Sequence, residues 1–291
     1  MSPMCTPFAL HRPAAGALPL VLDSPHSGEF YPDDFDHAPP REIVRQAEDT
    51  HVARLYGCAP ALGATLLEAN FPRAYVDANR SLADIDPELL ADDWGEPLAP
   101  GRKTAQGIGL VWRLARNGAP MYRRRLAAAE IRERIERWYR PYHAALDAEL
   151  DLRHREFGSV WHLDCHSMPA VGDERADDPG RERADFVLGD RDGTTCAPAF
   201  TAFVAATLAD LGYRVAINDP YKGVEIVRRH GRPAERRHSL QVEVKRTLYM
   251  DEASLLPNAG YARLEADLAR LLAALQRHIR GELVGASGLR G

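Results

Sequence analysis

The stretch S-V-W-H-L-D-C-H-S, residues 159–167, decides the fold class. Its apolar part, 159–163, predicts a buried strand, and the polar residues Asp164 and His166 follow it directly. A second stretch, 18–22, has the same character and leads through Asp23-Ser24-Pro25 to His26. Because α/β proteins gather their chemistry at the carboxyl ends of strands, we expect both histidines at one edge of a sheet.

Predicted strands and helices alternate along the rest of the chain. Further strands are expected at 64–68, 74–77, 213–217 and 239–245, and helices at 41–62, 123–157 (with a possible kink at Pro141), 197–211 and 261–280. The segments 82–107 and 173–183 are expected to be loops, the second a surface loop or lid. This pattern predicts an α/β fold with a mixed, mostly parallel, twisted sheet sandwiched by helices. A chain of 291 residues is expected to form one domain, residues 1–291.

Composition and charge exclude several classes of function. The 37 basic residues are dispersed among 42 acidic ones, with a net charge of -5, so nucleic acid is not an expected partner. No apolar run approaches the ~20 residues of a membrane span, and no glycine motif for nucleotides occurs. The four cysteines are widely separated, which predicts reduced thiols and a cytoplasmic protein.

His26 and His166 are candidate metal ligands, since each follows an apolar strand and precedes a small polar residue. A catalytic zinc site requires three nitrogen or oxygen ligands and an open position for water. The third ligand would be a carboxylate, and the sequence offers Glu29, Glu48 and Asp49. The alternative is that these histidines are hydrogen-bonded loop residues without a metal.

A general base would complete such a site, and Glu243 is the candidate. It is a charge inside the β-type run 240–244, and a buried carboxylate is costly unless it is paired or functional. A position on the solvent-exposed face of an edge strand would account for it equally well. Cys165, beside His166, is a weaker candidate nucleophile, because adjacent residues of a strand point to opposite faces.

Several cations lie in predicted loops or at strand ends, where they could bind an anionic substrate. Arginine suits this role because its planar fork makes two parallel bonds to a carboxylate. The candidates are Arg80 (after Asn79), Lys222, Arg228, Arg229 and Arg232, and Gly223 permits a tight turn after Lys222. Several of them are expected to be ordinary surface charges.

Seven short motifs, taken in order, resemble the N-formylglutamate amidohydrolase family over residues 24–252. They are S-P-H-S-G (24–28), E-D-T-H-V-A-R-L-Y (48–56), D-A-N-R (77–80), L-D-C-H-S (163–167), L-G-D-R-D-G (188–193), N-D-P-Y-K-G (218–223) and H-S-L-Q-V-E-V (238–244). The sequence departs from the family pattern at Val224-Glu225 and Arg229-His230, which concerns the identity of the substrate more than the type of reaction.

The resemblance implies a fold similar to the zinc carboxypeptidases (phosphorylase/hydrolase-like) and one Zn²⁺ held by His26, Asp49 and His166. Asp49 is preferred to Glu29 because the family's H-S-G motif does not extend to Glu29. Zn²⁺ would lower the pKa of a water, whose proton Glu243 would pass to the leaving amine, while Arg80 would stabilise the oxyanion. The residues then expected to bind substrate are Asn79, Lys222, Gly223, Arg228 and His238.

The implied reaction is hydrolysis of a small anionic N-acyl amino acid, above all N-formyl-L-glutamate to L-glutamate and formate in histidine degradation. One alternative is another deacylase or a metallocarboxypeptidase-like enzyme. A second is a carboxylate-binding protein without enzymatic activity.

Overall fold

The computed structural model describes residues 6–288 and contains a seven-stranded sheet. Its strands are β1 (Phe8–His11), β2 (Leu20–Ser24), β3 (Thr65–Ala69), β4 (Val160–Met168), β5 (Phe186–Gly189), β6 (Val215–Ile217) and β7 (Arg237–Lys245), in the order β1-β3-β2-β4-β7-β5-β6. Strand β4 is parallel to β2 and to β7, and β5 is parallel to β6 but antiparallel to β7. The predicted mixed α/β class is therefore confirmed.

The helices of the described residues vary from about one turn to nearly eight. They are α1 (Arg41–Arg45), α2 (Val52–Leu55), α3 (Arg102–Ala105), α4 (Ala128–Arg134), α5 (Arg140–Phe157), α6 (Pro198–Asp210), α7 (Glu225–His230) and α8 (Tyr261–Gly288). Helix α6 begins with a proline, whose missing N–H is not needed in the first turn. In α8 the residues Leu264, Leu268, Leu271 and Leu275 recur at helical spacing and are buried in the core.

The two faces of the central strands have opposite chemistry. Successive residues of a strand point to opposite faces, and one set from β2, β4 and β7 is apolar and packs in the core with α6 and α8. The alternate set is buried and mostly polar, and its polar members include Asp23, His162, Asp164, His166, Ser239, Gln241 and Glu243. The alternation of side chains along β4 therefore determines which residues of 159–167 belong to the core and which belong to the polar face.

Two local predictions are wrong. The segment 41–62 is not one helix: α1 and α2 are separate, because His51 has a positive φ of 71° that interrupts the helical path. Residues 74–77 form turns and not a strand, since the Asp77 carboxylate accepts the N–H of Asn79 in the manner of an Asx turn.

The predicted helix 123–157 begins later than expected, at Ala128, whose N–H is capped by the Asp92 side chain at 2.7 Å. Between α4 and α5 the residues Ile135–Tyr139 form a π-helical turn. This turn ends two residues before Pro141, the position of the expected kink. A proline removes one backbone donor, and the wider turn accommodates that loss.

Within residues 6–288 the Cα positions form two compact units. One contains 6–9, Pro25–Thr50 and Glu68–Ala145, and the other contains Leu10–Ser24, His51–Leu67 and 146–288. In the described part of the chain, no helix is long and apolar enough to cross a membrane. Three of the four cysteines are free thiols, and Cys5 lies outside the described residues.

Candidate metal site

His26, Asp49 and His166 form a cluster that could hold a metal ion. Each offers one ligand atom, and these atoms all lie within 4.8 Å of one another. The three side chains are at most 3% exposed. His26 follows β2, Asp49 precedes α2, and His166 lies inside β4. The cluster thus joins residues that are far apart in the sequence.

A buried carboxylate orients the His26 ring. His26 Nε2 donates to Asp77 Oδ1 at 2.7 Å, while Nδ1 lies 3.3 Å from Asp49 Oδ2. Asp77 also accepts from Arg73, whose Nε and Nη2 lie 3.1 and 3.0 Å from Oδ2. With Nε2 committed to Asp77, Nδ1 is the atom that His26 can present to a metal.

His166 also lies against a buried carboxylate, on β4. Its Nε2 lies 2.6 Å from Oδ1 of Asp164, two residues earlier on the same face of the strand. Nδ1, on the other side of the ring, is the nitrogen that we expect His166 to offer to a metal. Cys165, between them, points into the apolar core, and burial raises the pKa of its thiol well above the usual value. The expectation that Cys165 and His166 face opposite ways is confirmed, and the thiol is unsuited to nucleophilic attack.

The donor set fits a zinc ion. Two imidazole nitrogens and one carboxylate oxygen are the ligand types that catalytic zinc takes, with a further position left for water. Metal-binding histidines commonly donate their second N–H to a carboxylate, which fixes the tautomer and the orientation of the ring. Asp77 accepts such a bond from His26, and Asp164 places a carboxylate 2.6 Å from Nε2 of His166.

Electrostatics distinguish the two supporting carboxylates. Burial would raise the pKa of Asp77, but the charges of Arg73, His26 and Arg80 outweigh it and hold that pKa well below its usual value. For Asp164, burial dominates and raises the pKa, although His166 opposes the shift. Asp77 is therefore held as a carboxylate by its neighbours, chiefly by Arg73.

The other carboxylate candidates have different partners. Glu48 is buried and accepts from Tyr31 Oη at 2.6 Å and from Arg45 Nε at 3.0 Å. The Glu29 side chain is 40% exposed, and its Oε1 lies 3.4 Å from Arg45 Nη2. Asp49 is the carboxylate that the structure brings to the two histidines.

Glu243 lies beside His166, because β4 and β7 pair in parallel with these two residues in register. Its Oε1 accepts from Gln241 Nε2 at 2.9 Å. The cation Arg183 also interacts with Glu243. Burial alone would lower the pKa of Arg183, but its hydrogen bonds to Asp178 and electrostatic interactions with Tyr221, Asp178 and Glu243 raise that pKa. Arg183 is held by Asp178 through two contacts of 2.7 and 2.8 Å.

Arg80 and Asn79 lie next to Asp77 in the turn that follows β3. Arg80 is 6% exposed, and its guanidinium donates to the carbonyl oxygens of Ile108 at 3.2 Å and Asn79 at 2.9 Å. Burial lowers the pKa of Arg80, and Asp77 opposes that shift. The proximity of Arg80 to Asp77 follows from the D-A-N-R motif, and its backbone contacts stabilise the turn.

The remaining predicted substrate residues are spread over the surface and one strand. Lys222 pairs with Asp192 at 2.9 Å, and Arg228 pairs with Glu225 within α7. Gly223 has a φ of +93°, which favours glycine. His238 is the second residue of β7, five residues before Glu243, which corresponds to ~17 Å along a strand. The structure does not bring His238 to Glu243, and the roles of these four residues stay predictions.

Asp77 and Arg73, like Asp164, are supporting residues that are not among the predicted site residues. Asp77 begins the D-A-N-R motif, which was the available signal, but it was assigned to the end of a strand. Arg73 had no signal, since an arginine after Pro72 is ordinary in a turn. Both roles depend on contacts with His26 and Asp49, which lie far away in the sequence.

Comparison with known proteins is consistent with this geometry. Residues 18–250 match the family model described as N-formylglutamate amidohydrolase. The N-formylglutamate deformylase of Pseudomonas aeruginosa is 34% identical over 278 residues, 92% of this chain and 94% of that protein, and the one of Pseudomonas putida is 32% identical over 246 residues, 81% and 84%. The crystal structure of N-formylglutamate amidohydrolase from Ralstonia eutropha JMP134 superposes with a TM-score of 0.93 at 50% identity, covering 96% of this chain and 100% of that one. The chain therefore belongs to the N-formylglutamate amidohydrolase family.

Proposed function

We propose that this protein hydrolyses the amide bond of N-formyl-L-glutamate to formate and L-glutamate with one zinc ion. The observation that carries the proposal is the buried cluster of His26, Asp49 and His166, whose ligand atoms lie within 4.8 Å of one another. Two Pseudomonas relatives that this chain matches over most of their length bear the name N-formylglutamate deformylase. Family membership and the cluster support the same chemistry.

In the proposed reaction, the metal ligands, the general base and the supporting carboxylates have separate roles. Zn²⁺, when bound by the three ligands, would supply a Lewis acid that makes water more acidic and polarises the formyl oxygen. Glu243 lies beside His166 and is placed to take a proton from the attacking water. As the new C–O bond forms and the C–N bond breaks, Glu243 returns that proton to the departing nitrogen. Asp77 and Asp164 keep the two imidazoles oriented throughout.

The substrate would carry two carboxylates, so the site requires cations. Arg80 remains our proposal for the oxyanion, with Asn79 beside it, because both lie within two or three residues of Asp77. Lys222, Gly223, Arg228 and His238 remain proposed substrate residues. Single substitutions at these positions, each followed by measurement of KM and kcat, would rank them. Loss of a residue that contacts a substrate carboxylate should raise KM for the glutamate derivative and leave KM for a neutral analogue unchanged.

The proposed function is tested by metal analysis together with a panel of substrates. Purified protein should contain about one zinc per chain and release formate from N-formyl-L-glutamate faster than it releases the acid from the N-acetyl and N-succinyl derivatives. Removal of the metal by a chelator should abolish turnover, and added Zn²⁺ should restore it. Turnover of the acetyl compound in preference would instead indicate a different deacylase. Binding of N-formylglutamate without zinc and without turnover would indicate a carboxylate-binding protein.

The place of this reaction in the cell is also a proposal. N-formyl-L-glutamate is expected to arise in histidine degradation, and a cytoplasmic location would suit that role. A strain lacking the protein should then accumulate N-formylglutamate when it grows on histidine, and normal growth without accumulation would contradict the assignment.

A further inference from the structure

One arginine lies against both the proposed metal ligand Asp49 and the carboxylate that orients His26. Arg73 donates through Nε and Nη2 to Asp77 Oδ2, and its Nη1 lies 4.0 Å from Asp49 Oδ1. Its side chain is 15% exposed, whereas the two carboxylates are at most 1% exposed. A single guanidinium therefore faces two buried anions of the site.

The two oxygens of Asp49 have different surroundings. Oδ2 lies 3.3 Å from His26 Nδ1, the ring nitrogen left for a metal, so an ion bound by His26 would meet Oδ2 first. Oδ1 lies on the side of Arg73. To bind the same ion with both oxygens, Asp49 would have to rotate Oδ1 away from this cation, which opposes the rotation by charge attraction.

We propose that Arg73 is a positioning residue that limits Asp49 to one coordinating oxygen, so that a coordination position stays open for water. This inference rests on the proposed function, because it concerns the same zinc site. A catalytic zinc needs an open position, and a carboxylate that binds through both oxygens competes with water for the positions around the ion. Arg73 thereby acts on the reaction through Asp49, without contact with the substrate.

Arg73 is fixed firmly enough to act in this way. Its guanidinium carbon lies 5.3 Å from the centre of the Trp112 ring, and Trp112 Nε1 also donates to Asp77 Oδ2 at 3.4 Å. Two bonds to Asp77 and the aromatic contact define the plane of the guanidinium. A lysine would keep the charge but could not make the same forked contacts, so Arg73→Lys separates charge from geometry.

The test uses the full chain loaded with Co²⁺ in place of zinc, because visible absorption of Co²⁺ weakens as its coordination number rises. The wild type should give the intense absorption of a four- or five-coordinate ion. Arg73→Gln should give a weaker spectrum, and X-ray absorption of its zinc form should show one additional oxygen neighbour near ~2.1 Å. Arg73→Lys should lie between them. The kcat of Arg73→Gln should fall by ~10–100-fold, the usual effect of removing a residue that supports a metal ligand.

Arg45→Gln is the matched control, since Arg45 is another partly buried arginine paired with a carboxylate, Glu48, in the residue before Asp49. Its cobalt spectrum should equal that of the wild type. An unchanged coordination number in metal-loaded Arg73→Gln would overturn the inference, while an active, zinc-containing wild type would still support the proposed function. The inference would also be overturned if both Arg73 variants folded but did not retain metal. Arg73 would then be needed to assemble the site, and not to set the number of coordinating oxygens.

Discussion

Glu243 and His166 occupy register-paired positions on the neighbouring parallel strands β7 and β4. Paired residues of parallel strands point to the same face, so the proposed base and a proposed metal ligand share one polar surface. The Glu243 carboxylate accepts a hydrogen bond from the neutral amide of Gln241 at 2.9 Å. This arrangement fits a group that must accept and release a proton.

Substitution Glu243→Gln should therefore remove turnover without removing the metal. General acid–base groups contribute ~10²–10⁴-fold, so kcat should fall within that range. The measurement is kcat with N-formyl-L-glutamate alongside the zinc content of the same sample. Retention of zinc by the inactive variant distinguishes loss of a base from loss of a ligand. Full activity of Glu243→Gln would rule Glu243 out as the base.

Asp77→Asn should weaken metal binding, because the amide lacks the charge that fixes the His26 tautomer. The expected loss of zinc affinity is ~10–100-fold, measured by competition with a chromophoric chelator. Asp86→Asn is the matched control, because Asp86 is also a buried carboxylate but pairs with an arginine, Arg113, at 2.6 Å. Equal affinities for the two variants would contradict the role of Asp77.

The sequence was most informative where chemistry follows a strand. Residues 159–167 predicted both the strand β4 and the importance of His166, because an apolar run that ends in charged residues is typical of a buried strand that leads to a site. Pairing across the sheet was not predictable in the same way. The sequence does not predict strand β5, which is four residues long and antiparallel to β7, and it predicts one helix over 41–62 where the structure has two. His51 adopts a positive φ there, which local propensity does not foresee.

The residues that hold the metal ligands in place were harder to predict than the ligands themselves. Asp77 and Arg73 owe their roles to distances from His26 and Asp49, not to residue type or spacing. Conversely, Lys222 and Arg228 have the chemistry expected of substrate contacts, and the structure gives each an acidic partner on the surface. A cation in a loop is common, so residue type alone selects too many candidates.

Another buried histidine, His162, lies on the same polar face of the sheet, and its hydrogen bonds can be tested for a structural role. Its Nε2 lies 2.9 Å from Asp23 Oδ1 and its Nδ1 lies 2.8 Å from Ser239 Oγ. The three side chains are at most 1% exposed, so this serine is closed to a substrate. The hydrogen bond between Ser239 and His162 stabilises the fold, since loss of one partner would leave a buried polar group unsatisfied at a cost of ~1–3 kcal/mol.

Ser239→Ala should accordingly lower the free energy of unfolding by ~1–3 kcal/mol in urea denaturation. Ser254→Ala serves as the control, because Ser254 is exposed and bonds to Asp251 within its own turn; it should cost less than ~0.5 kcal/mol. Wild-type protein should also resist a fluorophosphonate that labels serine nucleophiles. Labelling at Ser239 would contradict the structural role.

His238 should make the protein less stable in mild acid. Burial, assisted by the charge of Arg236, lowers the pKa of His238 from 6.5 to about 4. The unfolded chain then binds a proton at this ring between these two pH values while the folded chain does not, so stability is complete above pH 6.5 and declines as the pH falls to about 4. The ring is partly exposed, which reduces the expected loss to ~2 kcal/mol. His238→Phe keeps the stacking on Trp161 and removes the proton site. Urea denaturation of both proteins at pH 8, 6 and 4.5 should show a smaller acid loss for the variant, because every other titrating group is common to both. Parallel curves for the two proteins would mean that His238 titrates normally in the folded state.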